Sequence, residues 1–325
     1  MKHFDLISIG DTQHDVFLEL EEETKILKDE RTGITYLGVV FAEKIPAKKF
    51  TSIVAVGNSA NVAVGGARLG LKTAFYTVLG FDTTGKEELK VFKKEKVALD
   101  YIVWDKKRPS NFSAVLNYKG ERTILVHHEH RDYILPALAP SKWVYLSSMA
   151  SGFEKIHVAF LRYMKKYKVK MGFNPGSFQM KVGLKKLAPV IQASTVFFVN
   201  REEAETLLGR RADIKTLMRQ LRAKGPKVVV ITDGPKGSYS FDGTTFLYLP
   251  VFPATIVERT GTGDAYSAGF LAAAAHDKDS REAMRWGTFN AASVLQHIGA
   301  REGLLSKAAM AGFLKKNRAF QPRQI

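Results

Sequence analysis

Val196-Phe197-Phe198-Val199-Asn200, followed by Arg201-Glu202-Glu203-Ala204-Glu205-Thr206-Leu207-Leu208-Gly209 and later by Val228-Val229-Val230-Ile231-Thr232-Asp233-Gly234, decides the fold class. Neither apolar run alternates with polar residues, so each reads as a strand covered on both faces, and the stretch between them has helical spacing. Parallel neighbours need a crossover, which a helix supplies. Working outward, strand-like runs recur at 4–9, 73–79, 143–146 and 169–173, with helical periodicity over 153–167. The alternation predicts an α/β fold in three αβα layers around a mostly parallel central sheet.

Two stretches break the pattern. Residues 16–47 and 111–126 read as antiparallel hairpins: Phe112, Ala114, Leu116 and Tyr118 alternate with Ser113 and Asn117, and Lys119-Gly120-Glu121-Arg122 turns the chain into Thr123. Meeting in space, the two insertions would form a small β-sheet lid over a cleft. The expected bounds are 1–12, 51–107 and 132–325 for a nucleotide- and substrate-binding core, and 13–50 with 108–131 for a discontinuous lid.

The 325 residues include 45% hydrophobic and 25% charged residues, the balance of a folded globular chain. With no cysteine there is no disulfide scaffold, thiolate zinc site, iron–sulfur cluster or cysteine nucleophile. Asp5 interrupts the first apolar run, which reads as a strand and not a secretory leader, and polar residues interrupt the longest charge-free stretch, 50–67. A cytoplasmic protein without membrane association is the expectation. Forty-nine Lys plus Arg against 32 Asp plus Glu give a formal charge of +17. The basic residues are dispersed, which argues against a nucleic-acid reader and fits a favourable field for phosphates.

Ligands of parallel sheets gather beyond the carboxyl ends of the strands. The apolar runs end in Gly10-Asp11, Gly80-Phe81-Asp82, Ser147-Ser148, Asn174-Pro175-Gly176, Asn200 and Thr232-Asp233-Gly234, a polar rim facing one cleft. Gly261-Thr262-Gly263-Asp264 then enters a small-residue helix. A glycine-rich turn at a helix start converges backbone N–H groups on an anion, and a carboxylate placed there can take the proton of a hydroxyl attacking a bound phosphoryl group. The competing reading is that Asp264 only caps the helix. No P-loop run exists, Gly234-Pro235-Lys236-Gly237-Ser238 falling short of it, and no dinucleotide fingerprint follows the first strand.

The run Gly57-Asn58-Ser59-Ala60-Asn61-Val62-Ala63, continuing to Ala67-Arg68-Leu69-Gly70, resembles the first signature of the ribokinase-like sugar and nucleoside kinases of the phosphofructokinase B type. Glu258-Arg259-Thr260-Gly261-Thr262-Gly263-Asp264 stands at the place of the second signature. Gly80-Phe81-Asp82, the 120–123 turn, Asn200-Arg201-Glu202-Glu203 and the 232–237 turn fall between them in the matching order.

The resemblance implies an ATP-dependent kinase of a sugar or nucleoside hydroxyl, with Asp264 as base and the amides of Gly261, Thr262 and Gly263 as anion hole. It implies acceptor contacts at Asp15, Gly57, Asn58, Asn61 and Asn174, nucleotide contacts at Asn200, Thr232, Gly234 and Gly237, and adenine near Asn290. Glu203, with Asn200, would organise Mg²⁺ through water. Asn200 and Glu203 also spell a capping box, which needs no ligand. Lid strands of that family often pair between subunits, so a homodimer through the lid is expected.

Three departures stand out. Glu258 and Arg259 replace an aspartate and a threonine beside the family's monovalent-cation site, where a guanidinium can displace K⁺ or supply its charge; the K⁺ requirement is left open. Val56 stands where a glycine is common. These changes keep a second reading alive, that of a catalytically silent kinase-like sensor or a nucleic-acid-binding protein. Arg131 is read as reaching over a phosphate or as a solvated loop residue. Adjacent ligands in an extended strand point apart, which disfavours a zinc site at His127-His128-Glu129-His130. The acceptor is left open among sugars, sugar phosphates, nucleosides and other alcohols.

Overall fold

Continuous apolar strands feed two helical layers at once. On the computed structural model, which describes residues 2–21, 24–119 and 121–325, the chain opens with β1 (Phe4–Ile9). An excursion follows through β2 (Gln13–Leu20), β3 (Lys25–Lys28), β4 (Thr35–Gly38) and β5 (Ala47–Val56). Next come α1 (Asn58–Arg68), β6 (Thr73–Gly80), α2 (Thr83–Lys94), β7 (Ala98–Asp105), β8 (Phe112–Tyr118) and β9 (Glu121–His127). The alternating middle is β10 (Ser141–Leu146), α3 (Glu154–Tyr167), β11 (Lys170–Phe173), α4 (Ser177–Lys181), α5 (Gly183–Ala193), β12 (Val196–Asn200), α6 (Arg201–Leu208), α7 (Ile214–Arg222) and β13 (Val228–Thr232). The chain closes with β14 (Ser238–Phe241), β15 (Phe246–Leu249), α8 (Thr262–Ala275), α9 (Ser280–Val294), α10 (Lys307–Lys316) and β16 (Arg323–Gln324).

The main sheet runs β16-β15-β14-β13-β12-β11-β10-β1-β6-β7. It is parallel from β13 to β7, with the other three strands antiparallel at one edge. Alternate residues of one strand enter opposite layers: Phe197, Val199, Val229 and Ile231 pack with α3, α5 and α7, while Phe198 and Val230 pack with α8 and α9. The three-layer α/β expectation is met.

The two insertions meet as a second sheet, β5-β2-β8-β9. Its details correct the sequence reading twice. β2 and β8 pair in parallel, because they come from separate insertions and no hairpin joins them. The second sheet also extends past residue 50, since β5 pairs with β2 as far as Val56, with a register shift between Ile53 and Val56; residues 51–56 pair in this sheet and not in the main one. Gly120, in the expected turn, lies outside the described residues, as do Met1, Glu22 and Glu23.

Arg131 is also corrected. It is 1% exposed, donates to Asp105 Oδ2 at 2.8 Å and bonds the carbonyl of Pro109. It therefore ties the irregular segment after β9 to the end of β7 and the loop that follows it, neither solvated nor free to reach a phosphate. His127, His128 and His130 bond separate partners, Glu129, Gln13 and Ser151.

Candidate active site

The turn into α8 is shaped by contact. Gly261 has φ 75°, and a Cβ there would lie 2.2 Å from that of Ala300, so only glycine fits. Thr262 and Gly263 then begin the helix, whose first N–H groups have no intrahelical partner and carry the positive end of its dipole. Both line a cavity of about 340 Å³. Thr232, Gly234 and Gly237, from the end of β13 and the turn after it, form another wall of that cavity. Gly261 itself does not line it and serves the turn.

Asp264, three residues into the helix from Gly261, does not cap it; that N-cap has no side-chain hydrogen bond. Its Oδ2 accepts from Asn61 Nδ2 at 2.7 Å. The bond requires α1 and α8 to approach closely, which Gly65 permits: a Cβ at Gly65 would lie 2.7 Å from that of Ala268. Burial pushes the Asp264 carboxyl up to about 6, with the nearby Glu203 adding to the rise and the Asn61 bond opposing it. Asp264 lines a second cavity of about 110 Å³ together with Asn58, Asn174, Asn200 and Glu203. Thr232 and Gly263 line both cavities, which therefore adjoin at the helix start.

The ends of β11 and β12 supply the rest of that wall. Asn174 donates to the Phe198 carbonyl at 2.9 Å, and its Oδ1 is 3.4 Å from both Asn58 Nδ2 and the Tyr145 hydroxyl. Asn200 caps α6, accepting from Glu203 N at 2.8 Å, while Glu203 Oε2 accepts from Asn200 N at 2.8 Å. The capping box is real, and the same two residues still face the cavity. Burial holds the Glu203 carboxyl above its ordinary range.

Asp15 sits apart from both cavities, on the lid. It is buried, receives Gln13 Nε2 at 2.7 Å, and is pushed up to about 6 by burial. Ser113 stands beside it on β8, and His128 bonds Gln13 at 2.9 Å. Ser113 Oγ, His128 Nδ1 and Asn61 Oδ1 are buried without a hydrogen-bond partner among the described residues, although His128 Nδ1 lies 3.7 Å from Asp11 Oδ2. Buried polar atoms are ordinarily satisfied, so Ser113 and His128 beside Asp15 and Asn61 beside Asp264 are able to bond a polar ligand. Ser113 and His128 escaped the sequence reading because only the meeting of the two insertions brings them to Asp15; Gln13, two residues from Asp15 on the same strand, carried no motif to single it out.

Gly57 caps α1 with φ 120° and packs against the Asp11 carbonyl, outside both cavities. Asn290 is a correction. It is 0% exposed, donates to the Ala265 carbonyl at 2.7 Å and accepts from Leu305 N at 2.9 Å, so its amide is spent on packing. Its helix meets the larger cavity through Thr288, Ala291, Ala292 and Leu295, spaced on one helical face that excludes position 290. Arg259 also lines that cavity; the guanidinium near Glu258 belongs to Arg122, 3.9 Å away.

The sequence profile of the pfkB family carbohydrate kinases matches residues 33–307, and the chain belongs to that family. An uncharacterized sugar kinase of Archaeoglobus fulgidus is 28% identical over 249 residues, covering 74% of this chain and 98% of that one. A cytidine kinase of Thermococcus kodakarensis is 34% identical over 142 residues, covering 43% and 51%. Among solved structures, Arabidopsis thaliana ribokinase complexed with ribose and ATP superposes with a TM-score of 0.79 at 22% identity, over 97% of this chain and 99% of that one.

Proposed function

We propose that this kinase transfers the γ-phosphoryl group of ATP to a hydroxyl of a sugar or nucleoside. ATP would occupy the larger cavity, with its terminal phosphates toward Thr262 and Gly263 and its base against the small side chains of α9. The acceptor would lie under the lid, with hydroxyls on Asp15 and Asn61. Asp264 takes the hydroxyl proton as the oxygen attacks phosphorus in line and the bond to ADP breaks; the cradle amides hold the charge on the transferring group. The observation that carries this reading is the placing of Asp264 where the two cavities adjoin, bonded to Asn61 and not to its own helix.

Glu203 fits a role toward Mg²⁺: one carboxylate oxygen is taken by the helix cap, the other remains for a metal-bound water, and hard oxygen donors suit the ion. Mg²⁺ would neutralise phosphate charge. The exposed outer face of the lid, with Phe50, Phe112 and Leu125, supports a homodimer through that sheet. ATP as donor supports a cytoplasmic setting.

ADP release across a panel of sugars and nucleosides tests the reading. One or more acceptors should be phosphorylated, and Asp264→Asn should lose about 10²–10⁴-fold in rate while still binding ATP. Turnover close to that of the unaltered protein in Asp264→Asn would remove Asp264 as base; ligand binding without ADP formation would point to a sensor.

A further inference from the structure

A chain of contacts joins the tip of the lid to the anion cradle. Arg122, on the edge strand β9, places Nη1 3.9 Å from Glu258 Oε1. Glu258 Oε2 accepts from Gly299 N at 2.6 Å. The next residue, Ala300, is the one against which Gly261 packs. The same loop is held to the lid from β5: a Cβ on Gly299 would lie 2.4 Å from Ile53 Cδ1, and Arg301 Nη2 donates to the Val54 carbonyl at 2.6 Å.

The link between Arg122 and Glu258 is incomplete. Glu258 Oε1 is buried with no hydrogen-bond partner among the described residues, and its charge raises the affinity of Asp15 for a proton. A separation of 3.9 Å is an ion pair without a hydrogen bond, whereas an engaged guanidinium–carboxylate pair lies at about 2.7–2.9 Å. The gap is about 1 Å, and β9 is exposed along its length with β8 as its neighbour in the sheet, so this edge is free to close it.

We propose that Arg122 and Glu258 are positioning residues for phosphoryl transfer: when an acceptor fills the pocket, the lid guanidinium closes onto Glu258, and Gly299 and Ala300 carry that closure to the Gly261 turn. The proposal rests on the kinase reading above. Closure neutralises Glu258 beside Asp15, completes the unsatisfied oxygen and sets the cradle only when the acceptor is in place. A filled acceptor site is thereby coupled to a competent phosphate site, which limits transfer to water.

The test uses the full chain with Arg122→Ala, Arg122→Lys, Glu258→Gln and the double variant Arg122→Ala/Glu258→Gln. Hydrogen exchange of the 121–127 amides should slow in the unaltered protein when a saturating acceptor is bound, and in that acceptor-bound state it should be about three- to tenfold faster in Arg122→Ala and in Glu258→Gln. With ribose and with cytidine as acceptors, the acceptor KM should rise by about three- to tenfold in each single variant while the ATP KM stays within about twofold. The double variant should be no worse than either single one, and Arg122→Lys should recover part of the loss. Unchanged acceptor-bound exchange in the single variants, or additive losses in the double one, would overturn the proposal. If the unaltered protein phosphorylates neither ribose nor cytidine, the acceptor found in the wider panel takes their place; if no acceptor of that panel is phosphorylated, the kinase reading falls and this proposal with it, whereas an active unaltered protein with indistinguishable variants overturns the proposal alone.

Discussion

Asp264 and Asp15 both ionise near pH 6 because burial disfavours their charged forms. As the proposed base, Asp264 must be deprotonated to act, so kcat should rise as pH increases through about 6 and level off above it. Asn61→Ala removes the bond that favours the ionised carboxylate; the acidic limb of the kcat profile should move to higher pH and the plateau should fall. A pH–rate series on both proteins checks this. Asp15→Asn should raise the acceptor KM by about tenfold or more, as expected for losing hydrogen bonds to a charged group, and leave the ATP KM in place. At this scale the sequence was most informative where chemistry is local: Asp264 follows its own glycine turn, and Asn61 belongs to a short signature. The bond between them was not legible, since their elements meet only through helix packing.

Helix packing sets that bond. Gly65→Ala would press a methyl group onto Ala268, separating α1 from α8 at a cost of about 1–3 kcal/mol. Chemical denaturation should show the loss, and kcat should fall with it as Asn61 leaves Asp264. On α6, Asn200→Ala removes the cap and should cost about 1 kcal/mol. Glu88, on α2, is a third case. Its carboxyl oxygens are buried without partners, and burial raises it from 4.5 to about 8. Between those values the folded state keeps a proton that the unfolded state has released, so stability falls as pH rises through the window. Glu88→Gln should flatten that slope, giving a variant more stable than the parent at pH 8 and much closer to it near pH 4.5 in urea titrations. Helical periodicity located such elements well; which face of α9 met the cavity depended on its rotation against α8, and this is why Asn290 was misassigned and Thr288, Ala291 and Ala292 were missed.

For the whole molecule, the exposed apolar face of the lid bears on assembly. If that sheet pairs two copies, sedimentation should report a dimer, and Leu125→Asp should shift it to monomer by placing charge in the contact. The formal charge of +17 also predicts that the KM for ATP rises with ionic strength, because a positive surface field attracts a polyanion only while it is unscreened.

The α/β alternation, the polar rim after the strands and the glycine turn before Asp264 were determined by the sequence alone, because each depends on periodicity or on backbone conformations that a few adjacent residues impose. The parallel pairing of β2 with β8, the burial of Arg131, the Asn61–Asp264 bond and the approach of Arg122 to Glu258 were decided only by the tertiary structure. Each joins residues far apart in the chain, and their meeting depends on how sheets and helices pack, which no local pattern encodes.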